Sequence, residues 1–216
     1  KMDNRGIKSF FIFFSFISLF FGTNLKASAW SFYMKAMEKK FECFRIGISS
    51  GKCEEALKLF DKAIEEYPNY SSALWERGNI KNLLNDSDGA MSDFNKAIKI
   101  EPNNAIFLGK RAAMHSSFGN VKEALSDWNK SIKIYPKDVL TYTGRGNMYQ
   151  SLGKHNKAIS DFNKAIKLDP KFIGPYLYRA KSFIEINDKE AACKDWNKSF
   201  QLGYIEVKKS INSYCN

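Results

Sequence analysis

A period of 34 residues governs this chain. Taking residues 139–172, VLTYTGRGNMYQSLGKHNKAISDFNKAIKLDPKF, as the reference, one step back of 34 brings Pro136 onto Pro170, and two bring Gly78 onto Gly146. The same steps superimpose Ala90, Ala124, Ala158 and Ala192, then Phe94, Trp128, Phe162 and Trp196. A unit of this length is one helix–turn–helix hairpin. Alone it cannot cover its apolar side, so it must stack on its neighbours. The first helix of each unit runs to a turn expected near Asp88, Gly119, Gly153 or Asp188. The second stops before Pro102, Pro136, Pro170 or, last, Gly203, because proline cannot continue a helix. Gly78, Ala112, Gly146 and Ala180 face the alanine row, so the two helices can approach closely, and Leu74, Leu108, Tyr142 and Tyr176 are expected to fill the space between them.

Within the reference stretch, Tyr142-x2-Arg145-Gly146-x2-Tyr149, then Ala158-x3-Phe162 and Pro170, resembles the tetratricopeptide repeat (TPR) pattern. The resemblance implies an all-α fold: a right-handed superhelical solenoid of antiparallel helix pairs. It also implies a scaffold for protein–protein contact with no chemistry of its own. The expected boundaries are 71–104, 105–138, 139–172 and 173–206 for four good repeats, preceded at 30–70 by a capping helix and a divergent repeat. That repeat keeps Ala56, Phe60, Ala63 and Pro68 in its second half but loses the pattern in its first. Residues 207–216 are expected to form a closing helix, with Ile205, Val207 and Ile211 toward the last repeat and Lys208 and Lys209 in water.

Ahead of the repeats, Lys1, Arg5 and Lys8 precede the apolar run 10–21, followed by Ala27-Ser28-Ala29. This is the order of a secretory signal peptide over residues 1–29, with a mature chain expected from Trp30. A 12-residue helix would span about 18 Å, short of a hydrocarbon core of about 30 Å, so export is preferred to an uncleaved membrane anchor. Net charge is +11, of which the leader carries +3, leaving +8. A basic balance favours weak contact with anionic surfaces and is not in itself a sign of nucleic-acid binding. Cys43, Cys53, Cys193 and Cys215 allow three pairings. Antiparallel packing of the closing helix sets Cys193 and Cys215 at similar heights, which leaves Cys43 with Cys53; free thiols are the other possibility. ACKDW with the terminal Tyr214-Cys215 also resembles the ends of exported bacterial TPR proteins, which implies a periplasmic or other extracytoplasmic setting.

Arg77, Arg111, Arg145 and Arg179 precede the small residues, and Asp93, Asp127, Asp161 and Asp195 precede the second-helix aromatics. In an antiparallel hairpin these positions share a height, so a ladder of structural ion pairs within the repeats is expected, with a phosphate-binding arginine row as the alternative. Lys62, Lys96, Lys130, Lys164 and Lys198, joined by Lys99, Lys133 and Lys167, form a stripe. Each lies near an aspartate, so a compensated, solvated face is expected, with docking to anionic headgroups or an acidic polymer as the functional alternative.

The groove of the family is lined by first helices. Its expected liners here are Trp75, Asn79 and Asn82, then Lys110 and Ser117, then Thr143, Asn147 and Gln150, and finally Leu177 and Lys181. Amides hydrogen-bond an extended peptide, and Trp75 or Leu177 offers an apolar anchor. Only Asn79 and Asn147 fit the carboxylate clamp that some TPR proteins use for chaperone tails, so that clamp is not expected.

No catalytic residue, metal set or cofactor motif is read: HExxH, a glycine-rich phosphate loop and a Ser–His–Asp set are all missing. His115 takes the aromatic place of Tyr149 and is expected buried and hydrogen-bonded, and His155 is expected solvated in a turn. The aromatics sit at core spacings, so no base-stacking surface and no nucleic-acid partner are expected.

Overall fold

The computed structural model describes residues 27–215, which are helical with no strand among them. They divide after Asp86 into two compact units, and the division falls between the two helices of repeat 71–104.

The first unit contains α1 (Ala27–Ile46), α2 (Lys52–Glu66) and α3 (Ser71–Leu83), with α1 packed on α2 and α2 on α3. Ala29, Ala36, Ala56, Ala63 and Phe60 are fully buried in its core. So the divergent repeat has its small residues after all. They are displaced because α1 has 20 residues where the other first helices have 13. Seven extra residues are close to two turns, so the same face stays on the core. Residues 1–26, most of the expected leader, lie outside the described residues. The expected cleavage junction after Ala29 falls in the first turn of α1, and cutting there would remove a buried alanine from the core.

Tyr33 and Tyr70 meet in this core with ring centroids 4.9 Å apart. Burial first, and Glu76 second, push the Tyr33 phenol up to about 12, and burial raises Tyr70 further. Below pH about 10 both folded and unfolded states keep these protons, so the phenols add no pH dependence. Above it the unfolded state ionises first, and stability falls as pH rises toward 12. The first unit should therefore lose helicity in alkali, and Tyr33→Phe should shift that loss to higher pH. Circular dichroism against phenolate absorbance checks this. Ionisation near pH 10 with helicity intact would refute it.

The second unit begins at Ser87 and holds α4 (Ser87–Ile100), α5 (Ala105–Ser117), α6 (Val121–Ile134), α7 (Val139–Ser151), α8 (His155–Leu168), α9 (Ile173–Glu185), α10 (Lys189–Gln201) and α11 (Lys208–Tyr214). Each of these helices packs on the next. Asn104, Asp138 and Asp188 cap α5, α7 and α10 through side-chain bonds to backbone N–H groups. The turns within pairs use one left-handed residue: Gly119 (φ 74°), Gly153 (φ 68°) and Asn187 (φ 62°). The turn expected near Asp188 falls at the adjacent Asn187, and Asp188 caps the helix after it. Small residues set the helix separation: a Cβ on Gly146 would come within 2.6 Å of the Phe162 ring.

Beyond sequential packing, α5 contacts α7 and α7 contacts α9, whereas second helices make no comparable contact with one another. First helices therefore form the inner side of this stack and second helices fan out on the outer side. The stack closes with a 3₁₀ turn (Ile205–Val207) and the short α11. Val207 is buried and Ile211 packs beside it, but Ile205, expected on the same face, is 69% exposed because it lies in the turn.

Candidate interaction site

Three arginines of the second unit brace the stack. Arg111 donates to Asp127 through Nε (2.7 Å) and Nη2 (2.8 Å), and Arg145 and Arg179 do the same to Asp161 and Asp195. Each carboxylate is held by a fork that lysine could not reproduce. The third donor, Nη1, reaches back to the preceding repeat: Arg111 to Asn95 at 2.9 Å, Arg145 to Asn129 at 2.6 Å, and Arg179 to Asn163. Arg77 makes the equivalent backward bond in the first unit, to Asp61 at 2.8 Å. Its expected partner Asp93 is buried in the second unit. The arginines also lie between aromatic rings, Arg145 between Tyr142 and Tyr149, and Arg179 between Tyr176 and Phe183, at 5.6–5.9 Å. With all three nitrogens of each guanidinium bonded within the stack, the charge of this row is turned inward.

The charge balance of a pair depends on its burial. Asp161 raises the Arg145 guanidinium above its usual range, mainly by hydrogen bonding. Asp195 is pushed up by burial, against which Arg179 acts as the smaller influence. Where repeat 105–138 has His115 in place of Tyr149 or Phe183, a cleft of about 470 Å³ opens beside Arg111, Lys122 and Asp127. His115 and His155 are both half-buried, and Nδ1 of each lacks a hydrogen-bond partner. Neither is the bonded core histidine or the solvated turn histidine that the sequence suggests, and His155 is the first residue of α8.

The expected groove residues part company. Trp75 is 7% exposed and so belongs to the core. Asn79 donates to Glu76 at 3.2 Å, while Asn82 is exposed. In the second unit Thr143 is buried and donates to the Val139 carbonyl of its own helix at 2.7 Å. Gln150 donates to the Tyr178 carbonyl and to Ser182, both at 2.7 Å, and so ties α7 to α9. Leu177 packs on the last core cluster. Lys110 and Ser117 on α5 and Lys181 on α9 are exposed, whereas on α7 the Oδ1 of Asn147 is buried without a hydrogen-bond partner. Two apolar side chains not expected there, Ile106 and Leu140, hold the same place in the first turns of α5 and α7 and are 68% and 67% exposed. The signal was in the sequence: an apolar residue directly after the first helical position, where no core partner is due. Ile106 also borders a 710 Å³ open pocket with Tyr135 and residues 101–105.

On the outer side, Lys96, Lys99, Lys130, Lys133, Lys164, Lys167 and Lys198 are all exposed. In the first unit Lys62 sits over the Phe32 ring at 5.6 Å. The cysteines lie in two bonded pairs, Cys43–Cys53 with Cα atoms 5.2 Å apart and Cys193–Cys215 with Cα atoms 5.7 Å apart. Among the described residues no cluster of side chains could hold a metal, and no helix is long and apolar enough to cross a membrane.

Family models described as tetratricopeptide repeat match residues 28–70, 71–104 and 139–172, together just over half of the chain. MamA from Desulfovibrio magneticus RS-1 is similar in fold, with TM-score 0.71 at 22% identity over 82% of this chain and 96% of that one. So is PilW, a type IV pilus biogenesis factor, with TM-score 0.70 at 16% identity over 82% of this chain and 78% of that one. YrrB, described as a TPR protein with an unusual peptide-binding site, has TM-score 0.64 at 18% identity over 76% of this chain and 86% of that one. No curated protein sequence matches. The repeat period, the helix pairs with small residues at their crossings and the matched models carry one conclusion: the chain belongs to the tetratricopeptide repeat family.

Proposed function

We propose that this protein is a non-enzymatic scaffold that holds a segment of a partner protein against the inner face of its first helices, in an extracytoplasmic compartment such as the bacterial periplasm. The observation that carries the reading is the pair Ile106 and Leu140, two-thirds exposed at equivalent places on adjacent inner helices. Apolar side chains at equivalent places on adjacent first helices offer two anchors to an extended or helical segment, with the exposed Lys110 one turn beyond Ile106 on the same helix. Trp75, Thr143 and Gln150 serve the fold instead, so the binding surface is narrower than the full set of inner-face residues. The two cysteine pairs and the leader-like start support an oxidising compartment. YrrB supports the groove as a place for a peptide only by likeness of fold.

A photo-crosslinking residue at position 106 or 140 should trap a partner in native cells, while one at the outer-face position 163 should not. Ile106→Asp with Leu140→Asp should reduce capture through position 147 at least tenfold with the melting curve unchanged, since both side chains are exposed. Undiminished capture in that variant would refute the assignment.

A further inference from the structure

The exposed lysines of the second unit lack the compensation that their spacing suggests. Each of Lys96, Lys130, Lys164 and Lys198 follows an aspartate by three residues, but Asp93, Asp127, Asp161 and Asp195 are at most 7% exposed. Asp127, Asp161 and Asp195 spend their oxygens on the arginine forks. They neutralise guanidinium groups inside the stack and leave the ammonium groups outside unbalanced. None of the seven lysines, these four with Lys99, Lys133 and Lys167, carries an ion pair among the described residues. The exposed acids on the same helices, Asp88, Glu123 and Glu190, lie in the first turns, seven or eight residues from the lysines, and Glu190 already binds Lys194. At 1.5 Å per residue that is more than about 10 Å, near the screening length of physiological salt. Beyond the helix ends, Glu101, Asp138 and Asp169 are engaged with the loop groups of Asn104, Leu140 and Lys171.

We infer that this outer face is a second interaction surface, one that takes a flexible linear polyanion laid across the second helices. The lysines form two rows, Lys96-Lys130-Lys164-Lys198 and Lys99-Lys133-Lys167, one member per repeat. Because second helices fan apart, each step exceeds the roughly 8–10 Å of directly packed helices. A small anion therefore meets at most the two lysines of one helix, which lie three residues apart, while a long chain spans several helices and gains by multivalency. A planar membrane fits less well. The outer side is the splayed side of the stack, and between the lysines the face carries the exposed polar residues Ser92, Asn95, Ser126, Asn129, Ser160 and Asn163, where a lipid interface favours inserted apolar side chains. The serines and asparagines between the lysines carry no ring for a base to stack on, so the backbone charge of the polymer is what the face reads.

The test is titration of the full chain with long-chain polyphosphate, tripolyphosphate and vesicles containing phosphatidylglycerol, at low and physiological salt. Long polyphosphate should bind at least tenfold more tightly per chain than tripolyphosphate and weaken steeply with salt. Replacing Lys130, Lys133, Lys164 and Lys167 by Gln together should lower its affinity at least thirtyfold at low salt. The log–log salt slope should then flatten by about 3, at roughly 0.7 per lost contact. The control Lys110→Gln, Lys181→Gln, Lys208→Gln and Lys209→Gln removes the same charge elsewhere and should change affinity less than threefold. Equal losses in both variants would reduce the effect to net charge and overturn the proposal. So would equal binding of tripolyphosphate, or binding to vesicles without binding to the polymer.

Discussion

Arg145→Ala should destabilise the second unit by about 3–5 kcal/mol, the scale for breaking a buried ion pair by deleting one partner. The carboxylate that loses its partner is the buried member: the Asp161 side chain is 7% exposed, that of Arg145 18%. Truncating the arginine leaves the carboxylate facing a core without its two N–H donors, and also removes the bond to Asn129 and the contact with two tyrosine rings. Arg145→Ala with Asp161→Ala should therefore lose less than the sum of the single losses, by about 0.5–3 kcal/mol. Arg145→Lys keeps the charge but not the fork, so it should recover only part of the loss. Urea unfolding of the wild type, both single alanine variants, the double variant and Arg145→Lys checks this, and simple additivity would sink the pairing.

The bond to Asn129 has a separate signature. In a stack of repeats stability is the sum of repeat terms and nearest-neighbour interface terms. Asn129→Ala touches only the second kind, and its target is exposed. A small loss of about 0.5–1.5 kcal/mol with a broader transition is the expected pattern.

Two kinds of residue separate what the sequence made legible from what it hid. Positions bound by the period were readable: Gly146 against Phe162, the proline stops, and the heights that bring Arg111, Arg145 and Arg179 to their aspartates. The period fixes helix and height, and little else is needed to name the pair. Positions whose fate depends on side-chain competition were not readable. Gln150 and Thr143 look like peptide binders in a linear list, but each finds an acceptor within the fold first. Asp127, Asp161 and Asp195 look like partners of lysines three residues on, but the guanidinium groups hold them. The backward arginine bonds were missed because a within-hairpin argument has no access to the next hairpin. The divergent repeat was hidden differently, by an insertion of two helical turns that breaks the period while preserving the buried face. That lengthening also sets Cys43 at the level of Cys53, which the regular 34-residue register keeps apart.

Losing the Cys193–Cys215 bond should cost about 3 kcal/mol, the loop-closure value for a separation of 22 residues. The structural reason for expecting the full effect is the length of α11. Seven residues make a helix too short to persist alone in water, so it is held by Val207, Ile211, the Tyr214 contact with Trp196 and this bond. Cys193→Ser with Cys215→Ser should release it, exposing Trp196 and removing hydrogen-exchange protection from residues 207–214 while α7 and α8 keep theirs. The Cys43–Cys53 bond closes only 10 residues and should contribute slightly less, about 2–3 kcal/mol. Access separates the two bonds further: Cys43 and Cys53 are at most 1% exposed, whereas Cys193 and Cys215 are half-buried at the end of the stack. A mild reductant should therefore open the C-terminal bond first, and mass spectrometry after alkylation should find Cys193 and Cys215 labelled while Cys43 and Cys53 remain joined. Labelling in the opposite order, or an exchange pattern at 207–214 indifferent to reductant, would mean that packing alone closes the stack.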